Sequence, residues 1–139
     1  MSKKATLFNQ VTGPLFIDIA NAYVSKFDNV ILITGAVEPT SSELDPKIRV
    51  IMKSKYKRNN GYLRIYTWLL FFAESFIYFL FKKNHGKILF VSNPPLLPFL
   101  GSIFSSRKNL NFDVLIYDVY PDVLSNLGYI KKDSFSHRF

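Results

Sequence analysis

The chain has no cysteine, which removes disulfide frameworks, thiol catalysis and thiolate-held zinc together. A reducing compartment is compatible with that absence. Glycine is scarce: six residues, each standing alone. There is no Gly-x-Gly-x-x-Gly fingerprint and no Walker loop, so dinucleotide binding in the usual manner is not expected. Acids are few, 10 against 18 Lys and Arg, leaving a formal charge of +8. Such a balance favours anionic partners, whether phosphorylated ligands, nucleic acid or an inner membrane leaflet. The two histidines, His85 and His137, lie far apart and away from any carboxylate motif. No metal and no cofactor are therefore assigned. The first ten residues hold two lysines but no apolar run of signal-peptide length, so secretion is not expected.

What the sequence does have is apolar substance. Of 139 residues, 48% are hydrophobic and 17% aromatic, enough for one domain with its own core. Apolar runs at 5–8, 29–34, 48–52, 87–91 and 112–117 predict five strands. The run at 29–34 is continuous and rich in β-branched residues, as in a strand buried on both faces. Helices are expected over 15–27, 62–81, about 98–106 and 122–127, with 9–14 and 39–46 as loops. Strands alternating with helices argue for an α/β fold. Residues 1–139 thus read as a single Rossmann-like domain, a parallel sheet of about five strands with helices on both faces.

The helix over 62–81 is unusual. Its apolar core, 65–81, holds one charge, Glu74. At about 100° per residue Thr67, Glu74 and Tyr78 share a narrow stripe, and nearly everything else is apolar. Lys57, Arg58 and Arg64 precede the run, and Lys82, Lys83 and Lys87 follow it. Three readings stand. It is a helix on the sheet with outer aromatics touching lipid, a soluble core helix, or a spanning helix. The first makes Arg64, Trp68, Phe72, Phe79, Lys82 and Lys83 membrane contacts. A central carboxylate and basic residues at both ends speak against spanning.

Ligands of open parallel sheets bind beyond the C-terminal strand ends. Three segments qualify. Thr12-Gly13-Pro14 opens the first helix, where free amides attract anions; an ordinary tight turn is the alternative. Ser92-Asn93-Pro94-Pro95 stops a strand rigidly. Asp118-Val119-Tyr120-Pro121-Asp122 puts two carboxylates at a strand end, where Asp118 and Asp122 suit general-base work or sugar-hydroxyl orientation. Capping the turn and the next helix is their plainer use.

The segments Phe90-Val91-Ser92-Asn93-Pro94-Pro95-Leu96-Leu97, Asp118-Val119-Tyr120-Pro121-Asp122 and Gly128-Tyr129-Ile130 resemble the N-terminal domain of family-four bacterial glycosyltransferases of capsule, O-antigen and colanic-acid synthesis. The resemblance runs loosely from residue 4 to about 135. It implies the N-terminal half of a GT-B architecture, two Rossmann-like domains facing across a cleft. It further implies transfer of a sugar from a nucleotide-sugar to a lipid-linked saccharide acceptor, on the cytoplasmic face of the cell membrane. By the resemblance Thr12 and Gly13 lie near the donor phosphates, while Asp118, Tyr120 and Asp122 line the acceptor side. Asn93 and Pro94, in the Ser-x-Pro-Pro turn, join the expected substrate-binding set. The opening loop departs from the family pattern, with Gly13 followed by Pro14 instead of consecutive glycines.

No donor domain is present in 139 residues. The chain alone is expected to be inactive, because half a cleft does not hold both substrates. A nucleotide-sugar is expected to bind only with a second domain or subunit. The alternative is a non-catalytic, membrane-peripheral binding module or partner subunit. Nucleic acid is disfavoured as a partner, since the aromatics concentrate in one apolar helix instead of alternating with basic residues.

Overall fold

The computed structural model describes residues 2–83, 85–108 and 110–117, with the side chains of 106–108 left aside. Five parallel strands form the main sheet: β1 (Lys4–Phe8), β3 (Asn29–Thr34), β5 (Arg49–Met52), β6 (Lys87–Val91) and β7 (Asn111–Leu115). Their spatial order is β5-β3-β1-β6-β7. The chain therefore steps outward from β1 to β3 to β5, then crosses to the other side for β6 and β7. This is the strand order of a Rossmann-like sheet, and its direction reverses between β1 and β6. Two short strands, β2 (Val11–Thr12) and β4 (Ala36–Val37), pair beyond the ends of β1 and β3.

Both faces are covered. Helix α1 (Pro14–Val24) packs Phe16 and Ala20 with Leu7, Val30, Leu32, Leu89 and Val91 on one side. On the other side α2 (Gly61–Phe81) and α3 (Phe99–Lys108) bring Phe71, Phe79, Leu100 and Phe104 onto Phe8, Ile31, Ile33, Ile88 and Phe90. The alternation of Leu7 with Phe8, and of Leu89 with Phe90, between the two clusters is the period-two pleat of a strand buried on both faces. This explains why β1, β3 and β6 read as unbroken apolar runs.

Element ends follow local chemistry. Pro14 starts α1, where its missing N–H costs nothing. The Asn60 side chain accepts the Tyr62 N–H at 3.0 Å and caps α2. Gly86 sits at φ 67 just before β6, and a side chain there would collide with the Lys4 carbonyl. Its left-handed backbone thus serves the tight entry into β6.

Candidate functional site

The switch point lies between the C-terminal ends of β1 and β6. The β1–β6 register runs to Phe8↔Phe90, and Asn9 and Val91 are the next residues along each chain. Asn9 keeps pairing with β3, its N–H donating to Ile33 O at 3.1 Å. The chain then turns through β2 into Gly13, the extended N-cap of α1. The first α1 bond is Ile17 N–H to Gly13 O at 3.0 Å, so amides ahead of it lack helical partners. Glu38 faces this helix end: a Cβ built on Gly13 would lie 3.1 Å from its Oε2. The carboxylate sits where the helix dipole favours negative charge.

On the β6 side, Ser92 Oγ accepts from Tyr117 N–H at 3.2 Å, and Ser92 N–H donates to Leu115 O at 2.9 Å. The turn at 92–95 is thereby tied to the end of β7. Asn93 is exposed and Pro94 buried, joined by a cis peptide bond. Asn93 and Gly13 are thus the expected substrate-binding residues with accessible surface at the switch point.

Thr12 points inward. Its side chain is wholly buried, and its hydroxyl lies 3.0 Å from that of Thr34, which in turn donates to Ala36 O at 2.9 Å. These bonds hold the β2–β4 ribbon to the sheet, so the hydroxyl is not offered to a ligand. Asp118, Tyr120 and Asp122 lie outside the described residues.

Sequence reasoning missed Asn9, Gln10 and Glu38. Gln10 Nε2 donates to Thr67 O at 2.9 Å, which ties the end of β1 to α2. Asn9 Nδ2 and Gln10 Oε1 are buried with no hydrogen-bond partner among the described residues. Such atoms are costly unless they serve a ligand or a water. Two amides directly after an apolar strand were the available signal.

Helix α2 turns its polar stripe inward. Glu74 Oε2 accepts the Ser54 N–H at 2.9 Å, and Thr67 and Ser75 are buried against the sheet. Phe79 also points inward. It is fully buried, stacked on Phe8 at 5.2 Å and Phe104 at 5.4 Å, and is a core residue instead of a membrane contact. Phe72 is half-buried and packs against the same core. Trp68 is half-buried, stacked on Tyr56, with the exposed Arg64 guanidinium 5.4 Å from its ring. Lys82 lies over the Tyr78 ring at 5.8 Å, and Lys83 is exposed.

Two hollows lie at the opposite, N-terminal end of the sheet. One of about 410 Å³ is bounded by Lys3, Phe27, Asp28 and Lys47, and one of about 880 Å³ by Tyr23, Phe27, Lys87 and Asn111. Lys87 there pairs with Asp113 at 2.9 Å. Strand starts are not where such sheets bind ligands, so the switch point remains the candidate site. Compared with protein-family models, with curated proteins and with solved structures, the chain matches none of them.

Proposed function

We propose that this domain is the acceptor-side part of a glycosyltransferase that moves a sugar from a nucleotide-sugar to a lipid-linked saccharide in cell-surface polysaccharide synthesis. A donor-binding half comes from a second domain or subunit. The observation that carries the reading is that the α1 N-terminus and the exposed Asn93 of the 92–95 turn both lie beyond the C-terminal ends of the paired strands β1 and β6, at the switch point of the sheet. Sheet ends of this kind are where polar ligands bind. The resemblance of the 90–97 and 118–122 segments supplies the substrate class. In this reading Asp118 and Asp122 act on the acceptor hydroxyl, Tyr120 and Asn93 contact the saccharide, and Gly13 approaches phosphate.

The test is a binding titration of the full chain with a polyprenyl-diphosphate saccharide in lipid nanodiscs. The saccharide-bearing lipid should bind at least tenfold more tightly than polyprenyl diphosphate without sugar, and Asn93→Ala should remove that difference. Equal binding of the two lipids would overturn the reading. It would favour the alternative, a non-catalytic membrane-peripheral module, for which the exposed apolar side of α2 is the supporting observation.

A further inference from the structure

The outer side of α2 has the wrong chemistry for water. Nine large apolar side chains of α2 are exposed, among them Leu63, Tyr66, Leu69, Leu70, Ile77 and Leu80. At about 100° per residue they fill a continuous arc that contains no charge. Phe99 and Ile103 of α3, on the same side of the sheet, are exposed as well. At up to about 200 Å² per large side chain, the arc presents on the order of 1000 Å² of apolar surface, beyond what a typical monomer exposes. The groups that would tolerate water, Thr67, Glu74 and Ser75, are turned inward.

The surroundings of this arc are basic. Between Asp45 and Asp113 the chain has twelve Lys and Arg and one acid, the inward Glu74. Lys55, Lys57, Arg58 and Arg64 are exposed about the N-terminal end of α2, and Lys83 just past its C-terminal end. By length and composition α2 suffices to cross a membrane. Yet Phe71 and Phe79 are wholly buried on the sheet, so spanning requires stripping the helix from the core. Spanning also sends one basic end to the far leaflet, whereas a helix lying flat keeps both ends among the headgroups of one leaflet.

We propose that the α2–α3 side of the domain docks on an anionic lipid bilayer, with α2 lying in the interface plane and its outer arc in contact with acyl chains. The docking also orients the site. Residues 53–60 lead into α2 across the C-terminal end of the sheet, held by Lys53 N–H to Thr34 O at 2.8 Å and Ser54 N–H to Glu74. Lys55, Lys57 and Arg58 therefore stand at the same sheet end as the switch point, and the headgroup layer meets the site there. The proposal deepens the lipid-linked acceptor of the preceding reading, and its test needs no saccharide and no sugar donor.

Flotation of the full chain with phosphatidylglycerol–phosphatidylcholine vesicles is the experiment. We expect at least tenfold more bound protein than with phosphatidylcholine alone, falling as salt rises. Leu69→Glu with Ile77→Glu, and separately Arg58→Glu with Arg64→Glu and Lys83→Glu, should each cut binding at least tenfold while circular dichroism stays unchanged. Should the acidic pair disturb folding, Leu69→Gln with Ile77→Gln replaces it. Brominated lipids should quench Trp68, the single tryptophan, most strongly when bromine sits near the headgroups. Binding that ignores lipid charge, or survives both variants, overturns the proposal. Quenching strongest from the bilayer centre overturns it in favour of spanning. Failure to float, with an oligomer that Leu69→Glu disperses, overturns it in favour of a second copy. None of these outcomes depends on the saccharide titration, so the two readings fail separately.

Discussion

Phe79→Ala and Phe81→Ala, two residues apart on one helix, should behave as opposites. Phe79 is fully buried between Phe8, Phe90 and Phe104, with ring centroids 5.2, 5.9 and 5.4 Å away. Truncation there removes transfer free energy and leaves a cavity that three rigid rings do not collapse to fill. Losses of about 3–5 kcal/mol are usual for such a change. A domain of this size has a stability of about 5–15 kcal/mol, so the variant loses a large share of it. Phe81 is 83% exposed, and its truncation should cost about 0.5 kcal/mol or less. Urea denaturation is the assay. The midpoint should fall steeply for Phe79→Ala with little change in slope, and barely move for Phe81→Ala. In vesicle flotation, at a temperature where both fold, the order should reverse, with Phe81→Ala the weaker binder. Equal destabilisation by the two substitutions, or greater destabilisation by Phe81→Ala, would refute the assignment of inner and outer sides of α2.

Gly35→Ala should destabilise by about 1–3 kcal/mol, because the added Cβ meets the carbonyl of Ser54 and lies 3.0 Å from Gln10 O, and backbone atoms do not give way; a melting temperature equal to wild type would contradict the close approach of the 53–57 segment to the sheet. Alkaline stability should respond to Tyr78. Burial pushes its phenol above the ordinary tyrosine value, with the Thr6 hydroxyl and Arg49 opposing. A folded pKa above the unfolded value of about 10 means that the stabilisation is complete below that pH and is lost as pH rises through the folded value. Tyr78→Phe should flatten that decline, leaving the part due to Tyr23 and Tyr117, which burial also raises. An unchanged alkaline limb would place Tyr78 in water.

The centre of the sheet was legible because β1, β3 and β6 are buried on both faces. Runs such as 29–34 carry no competing helical period, and the alternation of helix and strand left one economical arrangement. The strands β2 and β4 were not legible, since two residues have no period; they exist because Thr12 and Thr34 bond each other beneath them. That bond is also why Thr12, placed at a strand end like a ligand contact, turns inward. Gly13 and the 92–95 turn were legible from strand-end logic, but Glu38 was not. Its position follows from pairing between segments more than twenty residues apart, which no local pattern reports. Phe79 failed for another reason. With apolar residues all round α2, the wheel gives the polar stripe but not the side that meets the sheet.

The inward stripe is what joins the two ends of the argument about α2. A surface helix ordinarily turns its charge to water. Here the Glu74 carboxylate accepts the Ser54 N–H and the Thr67 carbonyl accepts the Gln10 side-chain N–H. One bond fixes the basic segment that enters α2, and the other fixes the end of β1 at the switch point. The polar atoms of the helix are thus used to hold the site's rim, and the apolar atoms are left outside. A water-facing surface gains nothing from that exchange, since exposed leucine and isoleucine side chains contribute no burial. An apolar environment on the outer side makes both halves favourable at once. In the proposed docking, the same inversion sets the C-terminal end of the sheet, with the switch point, beside the headgroup layer.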